Sequence, residues 1–164
     1  MIRALTTFFF VGLMRPAPGT WGSAAALVLG VYIDRIGGFP LLALATALAT
    51  FVGFWACEQA LKDRPGEDPS EIVIDEVAGQ WLALLFPAAA FYFGPGKDGY
   101  LPYPAWVGAF VFFRLFDIWK PSLVGKADRR HDARGVMLDD LWAGVFAGVC
   151  VIVSGVIYHA VMFA

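Results

Sequence analysis

Charged residues are scarce in this chain. Lysine, arginine, aspartate and glutamate make up 16% of its 164 residues, whereas hydrophobic residues make up 59%. A soluble domain carries about 25% charged residues. Together with a mean hydropathy of +0.67, this scarcity excludes an ordinary water-soluble domain. The composition indicates an integral membrane protein that forms a single domain over residues 1–164.

Cysteine and histidine are rare as well, with two of each. Cys57 and Cys150 lie in separate apolar segments, which favours two buried thiols that act as small hydrophobic residues. No small-residue cleavage site follows the first apolar run, so we expect no cleavable signal peptide. A metal site in this chain would therefore draw mainly on oxygen ligands rather than on His or Cys pairs.

Apolar segments predict an all-α, polytopic membrane bundle with about five membrane helices. The segments cover residues 21–36, 39–57, 72–93, 103–119 and 140–162. Residues 1–15 hold an apolar run too short to cross a bilayer, flanked by Arg3 and Arg15, and are predicted to be interfacial or re-entrant. Thr20 is predicted to cap the first membrane helix after a turn at Pro18 and Gly19.

Basic residues are distributed unevenly between the two sides of this predicted topology. Five crossings place ten cations on one side of the membrane and only Arg35 and Lys97 on the other. The positive-inside rule makes the first side cytoplasmic, with the N-terminus inside and the C-terminus outside. The ten cations are Arg3, Arg15, Lys62, Arg64, Arg114, Lys120, Lys126, Arg129, Arg130 and Arg134.

Acidic residues stand at the ends of three predicted membrane helices, all on this cytoplasmic side. They are Asp75, Glu76, Asp117, Asp139 and Asp140. A carboxylate inside an apolar run is costly unless a partner neutralises it. The ordinary explanation is charge complementing the helix dipole. The functional explanation is a shared site, and Gly79, one turn after Asp75, leaves room there for another backbone or a ligand.

Three polar residues recur every third position near the end of the fourth segment: Arg114, Asp117 and Lys120. One interpretation is an ion pair within the helix that permits burial. The other is that Arg114 and Lys120 bind a phosphate group while Asp117 joins the other carboxylates, since guanidinium suits bidentate phosphate contacts. Thr20 and the backbone N–H groups at the start of the first membrane helix would add to a phosphate site.

Clustered carboxylates without His or Cys pairs favour Mg²⁺, which binds a few carboxylates together with waters and phosphate oxygens. The predicted ligands are Asp75, Glu76, Asp139 and Asp140. A magnesium site on the inner face of a membrane suggests phosphate-ester chemistry on a lipid. His131, in a basic loop, is either a general acid or base or a solvated residue.

Four blocks of this sequence resemble the phosphatidylglycerophosphatase A family. They are PGTWGS (18–23), IVIDEVAG (72–79), FRLFDIWKP (113–121) and GVMLDDLWAG (135–144). One departure is that Asp132-Ala133-Arg134 replaces most of a glycine-rich run that often precedes the Asp-Asp pair. The resemblance implies a Mg²⁺-dependent phosphatase of phospholipid biosynthesis that converts phosphatidylglycerophosphate to phosphatidylglycerol in the bacterial cytoplasmic (inner) membrane.

Several alternatives stay open at this point. Phosphorus could be attacked by water activated on the metal or by a carboxylate that forms an aspartyl-phosphate. The substrate could be another lipid phosphate, and an ion or solute transporter or a non-catalytic scaffold would also place charges in membrane helices. Small-residue faces at Gly22, Ala26 and Gly30, and at Gly144 and Gly148, could pack within or between chains. No nucleic-acid partner is expected.

Overall fold

The computed structural model describes residues 1–63, 67, 69–94, 100–130 and 132–162. Within these ranges every regular element is helical, which confirms the predicted all-α class. The six α-helices are α1 (Ile2–Thr6), α2 (Pro18–Leu61), α3 (Ile74–Phe93), α4 (Tyr103–Trp119), α5 (Leu123–Asp128) and α6 (Ala133–Met162), with a short 3₁₀ turn at Val11–Leu13.

Helices α2, α3 and α6 are long and apolar enough to cross a membrane. Their outer surfaces carry large exposed side chains such as Val28, Phe51 and Val156, a pattern that suits contact with lipid rather than water. Three helices are fewer than the five predicted segments: α4 has 17 residues, and the predicted spans 21–36 and 39–57 both lie inside α2. The number of crossings therefore stays a prediction.

The 44-residue helix α2 reverses direction at Gly38. Gly38 has φ 62° and ψ −164°, a conformation that glycine adopts without steric cost. The break predicted between the segments 21–36 and 39–57 is thus confined to one non-helical residue, because the helix continues through Gly37. The contacts along α3 are Gly30 with Trp81, Gly38 with Tyr92 and Gly53 with Ile74. The two halves of α2 therefore run in opposite directions beside α3.

Helix α3 lies at the centre of the bundle, packed against α2 and α6. Trp81 donates a hydrogen bond from Nε1 to the Ala26 carbonyl oxygen at 2.7 Å, which ties α3 to the first half of α2. A Cβ on Gly79 would lie 2.5 Å from the Asp140 carbonyl oxygen, and Gly144 meets the Gly79 backbone in the same way. The expectation that Gly79 admits another backbone is therefore confirmed.

The small-residue faces predicted for helix packing are used inside this chain. Gly22 packs against Val73, the residue before α3, and Gly148 of α6 packs against Phe86 of α3. An oligomer built through these faces stays a prediction.

Two predicted helix starts are wrong. Helix α2 begins at Pro18 with Ala17 as its N-cap, because proline suits the first helical position; Thr20 therefore lies inside the helix and does not cap it. Helix α6 begins at Ala133 rather than at 140, because Asp132 accepts a hydrogen bond from the Gly135 N–H at 2.6 Å in the manner of an N-cap. Asp139 and Asp140 thus lie in the second turn of α6, where helix capping cannot explain them.

The N-terminal residues form no membrane-length helix, in agreement with the prediction for 1–15. Instead, α1 and the 3₁₀ turn pack against the residues before α3. The Val73 N–H donates to the Thr6 carbonyl oxygen at 2.8 Å, and Gly12 packs against the Glu71 backbone.

Candidate active site

A cavity of about 320 Å³ opens at the end of the bundle where α2, α3 and α6 begin. All eight residues predicted for the site line it: Thr20, Asp75, Glu76, Arg114, Asp117, Lys120, Asp139 and Asp140. The remaining lining comes from the start of α2 and the segment before α3, namely Ala17, Pro18, Gly19, Pro69, Ser70 and Ile72. The fold therefore brings together residues that are distant in sequence.

Three carboxylates form the centre of the cavity wall. Asp75 and Glu76 occupy the first turn of α3, and Asp140 faces them from α6; one oxygen of each lies within 4.8 Å of the others. Asp75 and Asp140 are 8% and 3% exposed. Buried acids this close repel one another when ionised, so they require protonation or a bound cation. Because Gly79 and Gly144 allow the backbones of α3 and α6 to approach closely, Asp140 comes beside Asp75 and Glu76.

Glu76 is enclosed by the start of α2. A Cβ on Gly19 would collide with Glu76 Oε1 and would lie 3.4 Å from Arg114 Nη1, so a side chain at position 19 would displace Glu76 or Arg114. The other oxygen, Glu76 Oε2, is buried and has no hydrogen-bond partner among the described residues. Gly19 and Thr20, in the first turn of α2, line the cavity as well, and the unpaired backbone N–H groups of a first helical turn are suited to binding anions.

Arg114 is oriented by two neighbours. Its Nη1 lies 2.5 Å from Asp117 Oδ2 and donates to Ser23 Oγ at 3.2 Å, while Ser23 donates to the Gly19 carbonyl oxygen at 2.8 Å. The predicted ion pair within α4 is therefore present, and the same guanidinium lines the cavity. Sequence reasoning missed the part played by Ser23, although it stands in one of the four blocks.

Lys120 bridges two acids. Its Nζ donates to Asp139 Oδ2 at 2.9 Å and to Asp128 of α5. Burial lowers the pKa of Lys120, but the hydrogen bonds that Lys120 donates to Asp128 and Asp139 outweigh this effect and hold its pKa above the usual value. Asp139 therefore faces Lys120 rather than the three-carboxylate centre, which separates it from the other predicted ligands. Sequence reasoning missed Asp128, since an acid in a short polar helix carries no distinctive pattern.

Gln80 is a second residue that sequence reasoning missed. It is fully buried one turn beyond Glu76 on the same helical face. Neither atom of its carboxamide has a hydrogen-bond partner among the described residues, and the same holds for Arg114 Nε. Buried polar atoms are normally paired, so Gln80 and Arg114 Nε have hydrogen-bonding capacity that the described residues do not use.

Three residues named in the sequence analysis lie outside the described residues. They are Arg64 and Lys97, which were counted among the cations on the two sides of the membrane, and His131, which was considered as a general acid or base.

Comparison with known proteins agrees with the geometry. A family model described as Phosphatidylglycerophosphatase A matches residues 4–154. This chain belongs to that family. The match runs through all four sequence blocks and through every residue of the cavity wall, so the site described above lies within the family's shared region. The chain is accordingly an enzyme, a phosphatase.

Curated relatives support this membership. Phosphatidylglycerophosphatase A of Haemophilus influenzae is 34% identical over 92% of this chain and 86% of the relative, and that of Escherichia coli is 35% identical over 94% and 80%. A Bacteroides thetaiotaomicron relative with a provisional name, phosphatidylinositol-3-phosphatase, is 36% identical over 90% of this chain and 89% of its own length. No solved structure matches the chain.

Proposed function

We propose that this protein hydrolyses phosphatidylglycerophosphate to phosphatidylglycerol and phosphate, with Mg²⁺, at the cytoplasmic face of a bacterial inner membrane. The observation that carries the proposal is the cavity in which three clustered carboxylates, two of them buried, share the lining with two cationic side chains. Family membership and the names of two relatives point to this lipid and thereby to phospholipid biosynthesis.

The donor set suits Mg²⁺. Oxygens of Asp75, Glu76 and Asp140 lie within 4.8 Å of one another, and Glu76 Oε2 is buried without a partner among the described residues. Hard oxygen donors without nitrogen or sulfur are the set that Mg²⁺ prefers. We assign these three carboxylates as ligands and Asp139 as the group that positions Lys120. Bound Mg²⁺ supplies positive charge that neutralises the phosphate and eases attack on phosphorus.

The protein's own cations bind the phosphate. Arg114, already oriented by Asp117 and Ser23, lines the cavity with its guanidinium, and Lys120 adds a point charge to the same lining. The first N–H groups of α2 contribute a third set of donors, and Thr20 adds a hydroxyl. Fixed donors of this kind stabilise the charge that develops on phosphate oxygens in the transition state.

Two routes of attack fit this geometry. In the first, a cavity carboxylate takes a proton from water; a new P–O bond forms, the ester P–O bond breaks, and the departing glycerol oxygen is protonated. In the second, an aspartate carboxylate attacks phosphorus, the ester P–O bond breaks and the departing glycerol oxygen is protonated; water then cleaves the aspartyl-phosphate to release phosphate and restore the carboxylate. Acid-quenching during turnover with ³²P-labelled substrate distinguishes them, because only the second labels the protein.

The bundle geometry supports five crossings with the cavity on the cytoplasmic side. The two halves of α2, together with α3, α4 and α6, run alternately up and down. Arg3, Arg15 and the exposed cations Lys126, Arg129 and Arg134 lie on the segments next to the cavity end, and such residues favour the cytoplasm.

The test is phosphate release by purified protein in detergent, with and without Mg²⁺. The substrates are phosphatidylglycerophosphate, phosphatidylinositol 3-phosphate and phosphatidic acid; the second is included because one relative is named for it. We expect Mg²⁺-dependent release, fastest from phosphatidylglycerophosphate. Release from another lipid at a higher rate would replace the proposed substrate, and cation flux in proteoliposomes without any phosphate release would replace the proposed function with transport.

A further inference from the structure

Three consecutive phenylalanines near the N-terminus adopt a left-handed backbone. Phe8, Phe9 and Phe10 have φ angles of 45°, 54° and 72°. Residues with a side chain rarely adopt this region, and bulky ones least of all. A run of three requires support from the surrounding structure, and strained residues that are well supported often mark a functional element.

The support is a network around Thr7, which is 1% exposed. Thr7 Oγ1 donates to the Arg3 carbonyl oxygen at 2.7 Å and accepts from the Phe10 N–H at 3.1 Å. The Phe9 N–H donates to the Ala4 carbonyl oxygen at 2.7 Å, and the Gly12 N–H to that of Thr7 at 2.9 Å. The turn is therefore built into the fold and is not a fraying end.

This turn presents apolar side chains outward. Phe9 is 71% exposed and Phe10 is 55% exposed, and Leu13 and Met14 are exposed beside them in sequence. We name these four residues the aromatic patch. Exposed Arg3 and Arg15 flank it in sequence. Aromatic residues with flanking cations are typical of segments that lie at a membrane interface, where the rings enter the acyl region and the cations meet lipid phosphates.

The aromatic patch stands on the outside of the cavity wall. Gly12 packs against the Glu71 backbone, and Thr6 accepts a hydrogen bond from the Val73 N–H. The residues on either side of Glu71, Ser70 and Ile72, line the cavity. The chain then passes within a few residues from the patch to Ala17 at the cavity itself. A lipid whose chains touched the patch would carry its headgroup close to the cavity.

We propose that the aromatic patch binds lipid acyl chains beside the cavity and so presents the phosphate of a membrane lipid to the active site. Lipid is the occupant that fits, because α1 and the 3₁₀ turn pack against α2, on which the large apolar side chains of Trp21 and Val28 are also exposed. This inference rests on the proposed function for its catalytic consequence only; the membrane contact of the patch is independent of it.

The first test measures turnover in mixed micelles in which the mole fraction of phosphatidylglycerophosphate is varied. In the double variant Phe9→Ala, Phe10→Ala we expect a severalfold higher KM in mole fraction with unchanged kcat. Turnover of glycerophosphoglycerophosphate, which has the headgroup but no acyl chains, should not change. The control Phe51→Ala removes an equally exposed ring, 77% exposed on α2, and should leave both substrates unaffected.

Two outcomes of this test would overturn the proposal. Equal losses on both substrates would assign the patch a purely structural role. No change on either substrate would show that it does not bind the lipid.

The second test does not depend on catalysis. A nitroxide is attached to Phe9→Cys in the full chain with Cys150→Ala, while buried Cys57 is retained, and the protein is placed in phosphatidylglycerol nanodiscs. We expect the label to collide with dissolved oxygen and to be shielded from a water-soluble nickel chelate, unlike a label at Lys126→Cys.

Nickel accessibility at Phe9→Cys equal to that at Lys126→Cys, or spin–spin broadening from a second copy of the chain, would contradict lipid contact. If the label is shielded but the wild type releases no phosphate from phosphatidylglycerophosphate, the proposed function fails and the membrane contact stands.

Discussion

The two ends of the helical bundle each bury acidic side chains, but with different partners. At the far end the described residues bury one carboxylate, Asp34, whose Oδ2 accepts a hydrogen bond from the Leu101 N–H at 3.1 Å. At the cavity end Asp75 and Asp140 face each other and Glu76, and one oxygen of Glu76 has no partner among the described residues. Within the part of the chain that the structure describes, acidic side chains are buried at both ends, but only at the far end does the buried acid have a backbone hydrogen-bond donor and no cluster of neighbouring carboxylates.

This difference separates a structural acid from a functional one. Asp34 joins the reversal of α2 to the residues before α4, and what it supplies is an acceptor for a backbone N–H. The cavity acids are close enough to repel, so they are stable together only with a cation or a proton. Charge should therefore matter at the cavity end and hydrogen-bond capacity at the far end, and the following substitutions test that distinction.

The largest effect is expected from removing charge at the cavity. Asp75→Asn and Asp140→Asn keep the side-chain shape, but they remove ligands for Mg²⁺, so phosphate release should fall roughly 1,000-fold or more. Because repulsion between buried acids is relieved, thermal unfolding without Mg²⁺ should shift upward or stay unchanged. Phosphate release and melting in detergent are measured on each variant beside Asp63→Asn, an exposed acid outside the cavity.

Asp139→Asn provides a comparison within the same cluster. Asp139 faces Lys120 rather than the three-carboxylate centre. We therefore expect a clear loss of kcat with a smaller change in the Mg²⁺ concentration needed for half-maximal activity. Near-normal turnover in both Asp75→Asn and Asp139→Asn would refute the assignment of this cavity as the active site.

A second, smaller effect is expected at Arg114. Arg114→Lys keeps the positive charge but removes the planar guanidinium group. In the wild type that group forms an ion pair with Asp117 and donates a hydrogen bond to Ser23 while lining the cavity. Turnover should fall about 10- to 100-fold. Ser23→Ala, which removes one acceptor and leaves the guanidinium in place, should cost less. Steady-state kinetics at saturating Mg²⁺ give both values, and a greater loss in Ser23→Ala than in Arg114→Lys would contradict this order.

The far end should respond in the opposite sense. Asp34→Ala leaves the buried Leu101 N–H without its acceptor and should lower the free energy of unfolding by about 1–3 kcal/mol. Asp34→Asn retains an acceptor oxygen and should cost less, and the kcat of folded protein should be unchanged in both variants. Equal destabilisation by the two substitutions would mean that the charge of Asp34, and not its acceptor, is what matters.

The smallest effect concerns Asp132, an exposed acid at the cavity end that caps α6. The hydrogen bond from Arg130 holds the pKa of Asp132 below its usual value. A lowered pKa means that the contribution to stability is present at neutral pH and is lost as pH falls through the folded-state pKa. Asp132→Ala should therefore cost about 1 kcal/mol at neutral pH. The difference from wild type should begin to shrink below about pH 4, the usual pKa of Asp, and should vanish only below the lower folded-state pKa.

Melting curves of wild type and Asp132→Ala across this pH range check the prediction. A constant difference at all pH values would exclude a role for the ionised carboxylate.

Much of the cavity could be predicted because placing a charged side chain in an apolar segment is energetically unfavourable unless the charge has a function or a partner. Asp75, Asp140 and Arg114 interrupt apolar segments, and the alternation of segments places them at one end. The local pattern could not show that Ser23 meets Arg114, 91 positions away, or that Asp139 turns to Lys120. Those contacts depend on how helices pack, which composition does not encode.

Helix boundaries were less predictable for a related reason. Apolar residues lie on both sides of Gly38, so the pattern did not show that one helix continues up to this glycine and resumes after it. Helix α6 begins within a charged stretch because Asp132 caps it, and a charged stretch before an apolar segment was interpreted as loop. Hydrophobicity marks where a helix is buried, whereas capping decides where it starts.

The most direct test of the account is phosphate release from phosphatidylglycerophosphate by the purified wild type, Asp140→Asn and Asp63→Asn across a titration of Mg²⁺. We predict activity that rises with Mg²⁺ and disappears with chelator in wild type and Asp63→Asn, and no activity at any Mg²⁺ concentration in Asp140→Asn. Release that persists in chelator, or that Asp140→Asn retains at the wild-type level, would contradict a metal-dependent phosphatase centre built on the buried carboxylates.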